Sequence, residues 1–200
     1  MRGLTITLSL VILYFVYTNY IRKTIYLEKV MARNGQTYRV RNLRDKGEAA
    51  NRLGDLGDTL DSLCSSCKGY DNQRSDNEYD RVKAIERLIR KFDPKELTEN
   101  IPGSQHVAYS VNKGDELSIC LRDIETERFI DTNTVRFVAI HELSHIMSRS
   151  SGHTTEFWDN MKFLLEKAVT QGVYTPEDYQ KRPVNYCGIE ITSSPLDTKI

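Results

Sequence analysis

Apolar residues recur at helical spacing in two stretches of the first half of the chain. In residues 46–63 the recurring positions are Ala49, Leu53, Leu56, Leu60 and Leu63. In residues 80–92 they are Val82, Ile85, Leu88, Ile89 and Phe92. Spacings of three and four place such side chains on one helix face, and core packing is the usual reason for such a face. The pattern predicts two amphipathic helices that pack in a common core.

Strand-like patterns replace the helical ones further along. Residues 106–111 and 116–122 form two short segments, and the second alternates at Leu117, Ile119 and Leu121. The four residues between them include Gly114 and are typical of a turn. We therefore predict a β-hairpin or small antiparallel sheet.

Two more helices are predicted after the hairpin. Residues 132–134 offer N-caps for a helix over residues 135–147, and Thr154 or Thr155 can cap a second helix that ends near residue 170. The tail from residue 172 contains three prolines and is predicted to be irregular. The expected fold class is α+β: two N-terminal helices, a hairpin, a central helix and a following helix.

An uncharged stretch precedes all these elements. Residues 3–21 carry no charge and are flanked by Arg2 and Arg22. A helix of this length spans roughly 28 Å, close to the ~30 Å hydrocarbon core of a bilayer. A cleaved signal peptide fits less well, because the stretch is long and no small-residue cleavage site follows it. We predict one transmembrane helix in residues 1–23, a linker in residues 24–45 and a globular domain in residues 46–200.

Flanking charges bear on the orientation of this stretch. Arg22, Lys23, Lys29 and Arg33 follow it, whereas Arg2 and the α-amino group precede it. Basic residues favour the cytoplasmic side of a membrane. The expectation is a single-pass membrane protein with a cytoplasmic globular domain.

The composition of the chain excludes few classes of binding partner. The chain has 28 basic and 28 acidic residues, so it presents no overall field for nucleic acid or an acidic membrane. Four cysteines are too few for a disulfide-dense domain. Cys64 and Cys67 have CxxC spacing without a second pair, which favours ordinary thiols over a metal or redox site. A disulfide is possible, but its connectivity cannot be read from the sequence.

The segment His141-Glu142-Leu143-Ser144-His145 carries recognisable chemistry. On a helix the two histidines lie on one face, one turn apart, so both imidazoles can reach one metal ion. Glu142 lies beside that ion, where it can take a proton from a zinc-bound water. Apolar neighbours on the same helix disfavour a pair of merely solvated histidines. The segment therefore indicates a catalytic metal site.

A catalytic zinc normally has three protein ligands and one open position. His153 follows His145 by eight residues, after a Ser-Ser-Gly break that lets the chain turn back, and is the favoured third ligand. His106 on the predicted hairpin and the downstream carboxylate of Glu156 are the alternatives.

These residues resemble the WLM and SprT-like zinc metallopeptidases, HExxH zincins. The similarity lies in the pentad and in Gly152-His153 followed by Phe157-Trp158. Residues 109–114 and 186–188 resemble more closely the WLM-type peptidases encoded by large DNA viruses. The resemblance covers about residues 105–195, with a motif core in residues 105–170. The interval between the second and third histidines is two residues longer than in the usual WLM form.

The resemblance implies a small zincin-like domain in which His141, His145 and His153 bind Zn2+ and Glu142 is the general base. It further implies that the hairpin strand before the active-site helix pairs with an extended peptide. Tyr186 is a candidate donor to the oxyanion, with structural packing as the alternative role. Relatives act on proteins crosslinked to DNA, so nucleic acid is a partner by analogy, although no basic, aromatic-rich segment supports it.

The predicted function is that of a membrane-anchored, zinc-dependent endopeptidase that acts on a protein or peptide substrate. Its catalytic domain would be cytoplasmic or internal to a virion. The alternative is a catalytically silent, zinc-binding structural protein of a membrane or virion. Glu142 argues against that alternative, because a structural site has no need of a base and usually has four protein ligands. The oligomeric state cannot be read from the sequence.

Overall fold

The computed structural model shows an α+β fold in which helices pack on one mixed β-sheet. The structure describes residues 22–70, 76–104, 108–111 and 114–197, with scattered positions between residues 7 and 17. The helices are α1 (Arg22–Tyr26), α2 (Lys46–Ser66), α3 (Asp76–Lys91), α4 (Thr132–Met147) and α5 (Thr155–Thr170). The strands are β1 (Leu27–Met31), β2 (Thr37–Arg41), β3 (Leu97–Glu99), β4 (Ala108–Val111), β5 (Glu116–Ile119), β6 (Val184–Tyr186) and β7 (Ile189–Ile191).

The main sheet has the strand order β1-β2-β3-β5-β4, and β6 and β7 form a separate pair. The predicted hairpin is present as β4 and β5, which are antiparallel with Ala108 opposite Ile119. The pairs β2–β3 and β3–β5 are parallel. Parallel neighbours need long connections, here through α2 and α3 between β2 and β3 and through a segment that contains β4 between β3 and β5, so the local pattern did not reveal them. The sheet places β4 at one edge.

Residues 24–45, which we predicted to be a linker, contribute two strands to this sheet. β1 and β2 pair antiparallel from Leu27 opposite Arg41 to Met31 opposite Thr37. Tyr38 and Val40 on β2 point inward and are almost fully buried. Their alternation with polar residues gives β2 one buried face, so most of this segment is part of the packed fold.

The predicted N-terminal anchor is wrong. None of the helices among the described residues has the length and apolar character needed to cross a membrane. Helix α1 has five residues, or about 7.5 Å of rise, includes Lys23, and leads directly into β1 of the sheet. Most of residues 3–21 lie outside the described residues. The predicted single-pass membrane localisation depended on this helix and is wrong with it, and the predicted orientation of the domain loses its basis.

Helix α4 lies at the centre of the packing. Its N-cap is Asp131, one residue before the predicted caps, and the Asp131 carboxylate accepts from the backbone N–H of Thr134 at 2.9 Å. The α4 side chains Ala139, Ile140, Leu143 and Ile146 are at most 1 % exposed. Helix α5 packs on α4 through its own apolar stripe, which includes Phe157, Met161, Leu164 and Leu165.

A disulfide joins the end of the main sheet to the C-terminal hairpin. Cys120 follows β5, Cys187 lies in the turn between β6 and β7, and the two are separated by 67 residues. The hairpin has only three residues per strand, and a two-stranded hairpin of that size is marginal by itself. The disulfide and the buried ring of Tyr186 therefore hold it against the domain. Cys64 and Cys67 are free thiols buried in and just after the end of α2.

Replacement of both disulfide cysteines, Cys120→Ser with Cys187→Ser, is expected to lower the free energy of unfolding by about 4 kcal/mol. The reason is the loss of a crosslink that closes a long loop in the unfolded chain. Denaturant unfolding of the oxidised proteins measures the loss, and wild type in excess reductant is the control. Reductant should destabilise the wild type and leave the double variant unchanged; equal stability of oxidised wild type and variant would contradict the prediction.

Candidate metal centre

Helix α4 presents two imidazoles side by side at the floor of a cleft. His141 and His145 are one turn apart, and their ring centroids are 5.0 Å from each other. Both rings are half-buried, whereas the neighbouring Glu142, Leu143 and Ser144 are buried. The two rings therefore lie on one side of the helix, as their i, i+4 spacing predicted.

The loop after α4 brings a third imidazole to the same place. Gly152 has φ +77°, a left-handed conformation that favours glycine, and the chain turns there toward α5. His153 follows, and its Nε2 lies 3.1 Å from Nε2 of His141. One ring nitrogen from each of His141, His145 and His153 lies within 4.8 Å of the others. The three histidines that we predicted to be ligands are thus brought together.

This spacing fits the donor set of a tetrahedral zinc site. Two nitrogens bound to one zinc ion at 2.0–2.1 Å with a tetrahedral angle are about 3.3 Å apart. The separation between His141 and His153 is close to that value. Three nitrogen donors that converge from a helix and a loop also leave one side open, as catalytic sites require.

Of the two alternative ligands, His106 lies outside the described residues, and Glu156 is engaged elsewhere. Its carboxylate accepts from the backbone N–H of Arg149 at 2.8 Å and of Ser150 at 3.0 Å, and from the Ser150 hydroxyl at 2.8 Å. Burial alone would raise the pKa of Glu156, but these hydrogen bonds outweigh it, so the pKa is lowered. Through these hydrogen bonds, Glu156 holds in place the loop that carries His153.

The aromatic pair at the start of α5 contacts the imidazoles. Phe157 is fully buried, and its ring centroid lies 4.3 Å from that of His145 and 4.7 Å from that of His153. Trp158 is 41 % exposed, with its centroid 5.5 Å from His153. In the sequence, both rings stand out only as part of the pattern shared with the WLM and SprT-like peptidases. Their position against the imidazoles is decided by how α5 crosses α4, which the pattern does not contain.

Burial shifts the pKa values of two groups at the site, His141 and Glu142. Burial lowers the pKa of His141 to about 3, with further lowering from His145 and His153. The neutral imidazole that results is the form that binds metal. Burial raises the pKa of Glu142 to about 7. A divalent cation beside Glu142 would favour the carboxylate and lower that pKa.

A cleft of about 770 Å³ opens over these residues. Its walls are an edge strand and the C-terminal hairpin. The edge strand contributes Ala108, Tyr109 and Ser110 of β4, and the hairpin contributes Ile189, Glu190 and Ile191 of β7. Of the two strands of the predicted hairpin, β4 runs along the cleft, and the pairing of such a strand with a peptide stays a prediction. The sequence did not predict that the C-terminal hairpin, β6 and β7, forms a wall of the cleft. Its position depends on the disulfide, whose connectivity cannot be read from the sequence.

Tyr186 lies behind that wall. Its side chain is fully buried and is not among the residues that line the cleft. Burial raises the pKa of the phenol, and the nearby Glu142 charge raises it further. The predicted hydrogen bond from Tyr186 to an oxyanion would need a movement of the hairpin, and the role stays a prediction.

Among solved structures, the fold is similar to Wss1 from Saccharomyces cerevisiae. The TM-score is 0.49 at 17 % identity, covering 66 % of this chain and 88 % of that one. A Wss1 mutant from S. pombe gives a TM-score of 0.42 at 20 % identity, covering 72 % and 99 % of the two chains.

Sequence relatives extend the comparison to large DNA viruses. An uncharacterized protein of Acanthamoeba polyphaga mimivirus is 31 % identical over 156 residues, which cover 78 % of this chain and 77 % of the relative. An uncharacterized protein of Invertebrate iridescent virus 3 is 37 % identical over 84 residues, 41 % of this chain and 50 % of the relative. The model of the WLM domain family matches residues 78–194. Because that match spans more than half of the chain and the mimivirus relative aligns over most of both proteins, this chain belongs to the WLM domain family, the metallopeptidase family that its HExxH motif resembles.

Proposed function

We propose that this chain is a zinc-dependent endopeptidase. The observation that carries the proposal is the convergence of three imidazoles beside a buried glutamate, at the floor of a cleft bordered by an edge strand. Membership of the WLM domain family supports a hydrolase of the metallopeptidase type. A protein or peptide is the substrate class that such an enzyme requires.

His141, His145 and His153 would hold the metal. Imidazole nitrogens are donors of the kind that zinc accepts, and the long interval before His153 is accommodated by the turn at Gly152. When bound, zinc supplies a Lewis acid that polarises the scissile carbonyl and acidifies water. Phe157 packs beneath the imidazoles and limits their rotation, which keeps the three nitrogens directed at one point.

Glu142 is the general base of the proposed reaction. Its side chain is 6 % exposed, next to His141 on α4, and its burial brings the pKa close to neutral pH. A zinc ion beside it would counteract this rise and favour the carboxylate, which can accept a proton from the attacking water and return it to the leaving amine. Burial also removes competing water molecules from the carboxylate, which strengthens its interaction with the proton that it takes.

The edge strand β4 would align the substrate. β4 pairs with β5 on one side, and its other side borders the cleft. An extended peptide can add to such an edge by main-chain hydrogen bonds, while side chains in the cleft provide selectivity. The scissile peptide would then run between β4 and β7, above the imidazoles.

A zinc-binding structural protein without turnover is the second candidate. The buried Glu142 disfavours it, because a carboxyl group without a hydrogen-bonding role in the packing is costly to bury. Among the described residues, the metal-binding group consists of three histidines rather than the four ligands usual in structural zinc sites, which disfavours it as well.

Replacement Glu142→Gln is expected to lower kcat/KM for peptide hydrolysis by about 10²- to 10⁴-fold, because an amide cannot accept the proton. Cleavage of an unfolded protein substrate by zinc-loaded wild type and variant measures the loss. Both proteins should bind one equivalent of zinc, which shows that the site is intact. Equal cleavage by the two proteins would contradict the peptidase proposal. So would the absence of cleavage by both proteins across many substrates despite bound zinc.

Replacement His153→Ala should cost the protein its zinc, whereas His106→Ala should retain it. The physical reason is that His153 adds the third nitrogen donor to the pair on α4. Zinc content after exhaustive dialysis, measured by elemental analysis, separates the two variants. Loss of zinc in His106→Ala and its retention in His153→Ala would instead identify His106 as the third ligand.

Replacement Glu156→Gln is expected to destabilise the protein by about 1–2 kcal/mol at neutral pH and to weaken zinc retention, because the charged acceptor for the Arg149–Ser150 backbone is lost. The exposed Glu166 on the same helix, changed to Gln, is the matched control.

The difference in stability between the wild type and Glu156→Gln should depend on pH, because the pKa of Glu156 is lowered in the folded protein. Its stabilising contribution is complete above the ordinary carboxyl pKa of about 4.3 and is lost as the pH falls through the lower folded value. Urea unfolding between pH 3 and 7, a range of roughly four units around that pKa, should show the wild type and Glu156→Gln converging at the acidic end. A constant difference over the whole range would argue against the loop-fastening role.

A further inference from the structure

We propose that Trp158 and Ile189 select the cleavage site by binding large apolar side chains of the polypeptide, so that the enzyme prefers to cleave beside aliphatic and aromatic residues. Both side chains line the cleft over the imidazoles. The inference rests on the proposed peptidase function, because it names the feature of a polypeptide that the same site recognises.

The exposed lining of the cleft is mainly apolar. Its hydrophobic residues are Ala108, Phe137, Val138, Trp158, Met161, Ile189 and Ile191. Among the described residues that line the cleft there is no lysine or arginine, and the only carboxyl groups are those of Glu142 and Glu190. Burial of a charged side chain without a partner is costly. Such a lining therefore favours an uncharged, apolar side chain of the polypeptide.

Trp158 presents an apolar ring next to the metal centre. It is 41 % exposed, whereas the preceding Phe157 on α5 is fully buried. The Trp158 ring packs against Phe157 with a centroid distance of 5.0 Å and lies 5.5 Å from the His153 ring. These contacts hold the ring in position, so little ordering is required when a substrate side chain binds to it. Its place beside His153 brings such a side chain close to the scissile bond.

Ile189 adds a second exposed apolar side chain from the C-terminal hairpin. It lies on β7 and is 49 % exposed. The disulfide at Cys187 and the buried ring of Tyr186 hold this hairpin against the domain, so Ile189 belongs to a fixed wall of the cleft. Exposed apolar side chains that share one concave surface are typical of a binding site.

The alternative for Trp158 is a purely structural role in which its ring only shields the imidazoles. Its large exposed fraction disfavours that role, and the role gives no function to Ile189 on a different element. The two roles also differ in their consequences. Loss of shielding would change zinc retention and the cleavage of every substrate alike, whereas loss of selection would change the ratio between substrates.

The test uses the full, zinc-loaded chain and peptides of Gly and Ser that contain a single variable residue, which is Leu, Phe, Gln or Lys. A second set of peptides carries the variable residue at a different position. Mass spectrometry locates the cleaved bond, and kcat/KM is measured for each peptide.

The Leu and Phe peptides should have a kcat/KM roughly tenfold to a hundredfold higher than the Gln and Lys peptides, as expected for an apolar side chain in an apolar pocket. The cleaved bond should follow the Leu or Phe residue to its new position. Equal kcat/KM for all four peptides, or a cleaved bond that stays in place, overturns the proposal and leaves the peptidase function standing.

Variants test the two residues named. Trp158→Ala and Ile189→Ser should each reduce the ratio of kcat/KM for the Leu and Gln peptides, mainly through KM, and Trp158→Phe should retain most of it. Met31→Ala is the matched control, because it removes a side chain that is 72 % exposed outside the cleft. An unchanged ratio in both Trp158→Ala and Ile189→Ser overturns the assignment. Should Trp158→Ala lose its zinc, Ile189→Ser decides, because β7 carries none of the three histidines.

A binding measurement separates this proposal from the peptidase function. Zinc-loaded Glu142→Gln is titrated with labelled Leu and Gln peptides, and fluorescence anisotropy reports binding without turnover. Tighter binding of the Leu peptide, lost when Ile189→Ser is added, supports the apolar site. If the wild type nevertheless cleaves no peptide, the peptidase function alone is overturned. Equal binding of the two peptides overturns selection by Trp158 and Ile189.

Discussion

Burial of helix α4 is the constraint on which the rest of this structure depends. The helix is surrounded by the sheet, α3 and α5, and its side chains Ile140 and Leu143 are excluded from solvent. It nevertheless carries His141 and His145 to a cleft, and Glu142 beside them. Its buried hydroxyl group on Ser144 is satisfied within the helix, by the carbonyl of Ile140 at 2.7 Å. A helix that is packed on most sides cannot rotate, so its polar side chains have fixed directions.

The end of α4 and the start of α5 behave as one unit because polar contacts join them. Asn160 on α5 donates to the Ser148 hydroxyl at 2.9 Å, and that hydroxyl donates to the carbonyl of Ser144 at 2.7 Å. The intervening loop is fastened by Glu156, and it presents His153 on one side and Arg149 on the other. Movement of this loop would therefore displace the His153 imidazole from the other two.

The local elements were largely predictable, whereas the neighbours of each strand were not. Periodicity identified α2, α3 and the β4–β5 hairpin, and N-cap residues indicated α4 and α5, because both signals lie within one segment. The parallel pairing of β3 with β2 and β5 depends on contacts between distant segments. The strands β1 and β2 were missed for the same reason, because their place in the sheet depends on pairing with each other and with β3. The membrane helix was inferred from apolar character alone, and none of the helices among the described residues could span a bilayer.

The sequence by itself determined which groups could do chemistry here: the i, i+4 histidines, the glutamate between them, and a third histidine within reach of a turn. Those relations hold because helix geometry is local. Tertiary structure alone decided that Glu156 holds a loop instead of facing a metal, that Phe157 lies against the imidazoles, and that β4 and a disulfide-held hairpin form the cleft walls. These features come from packing between segments far apart in the chain, and no local pattern encodes which surfaces meet.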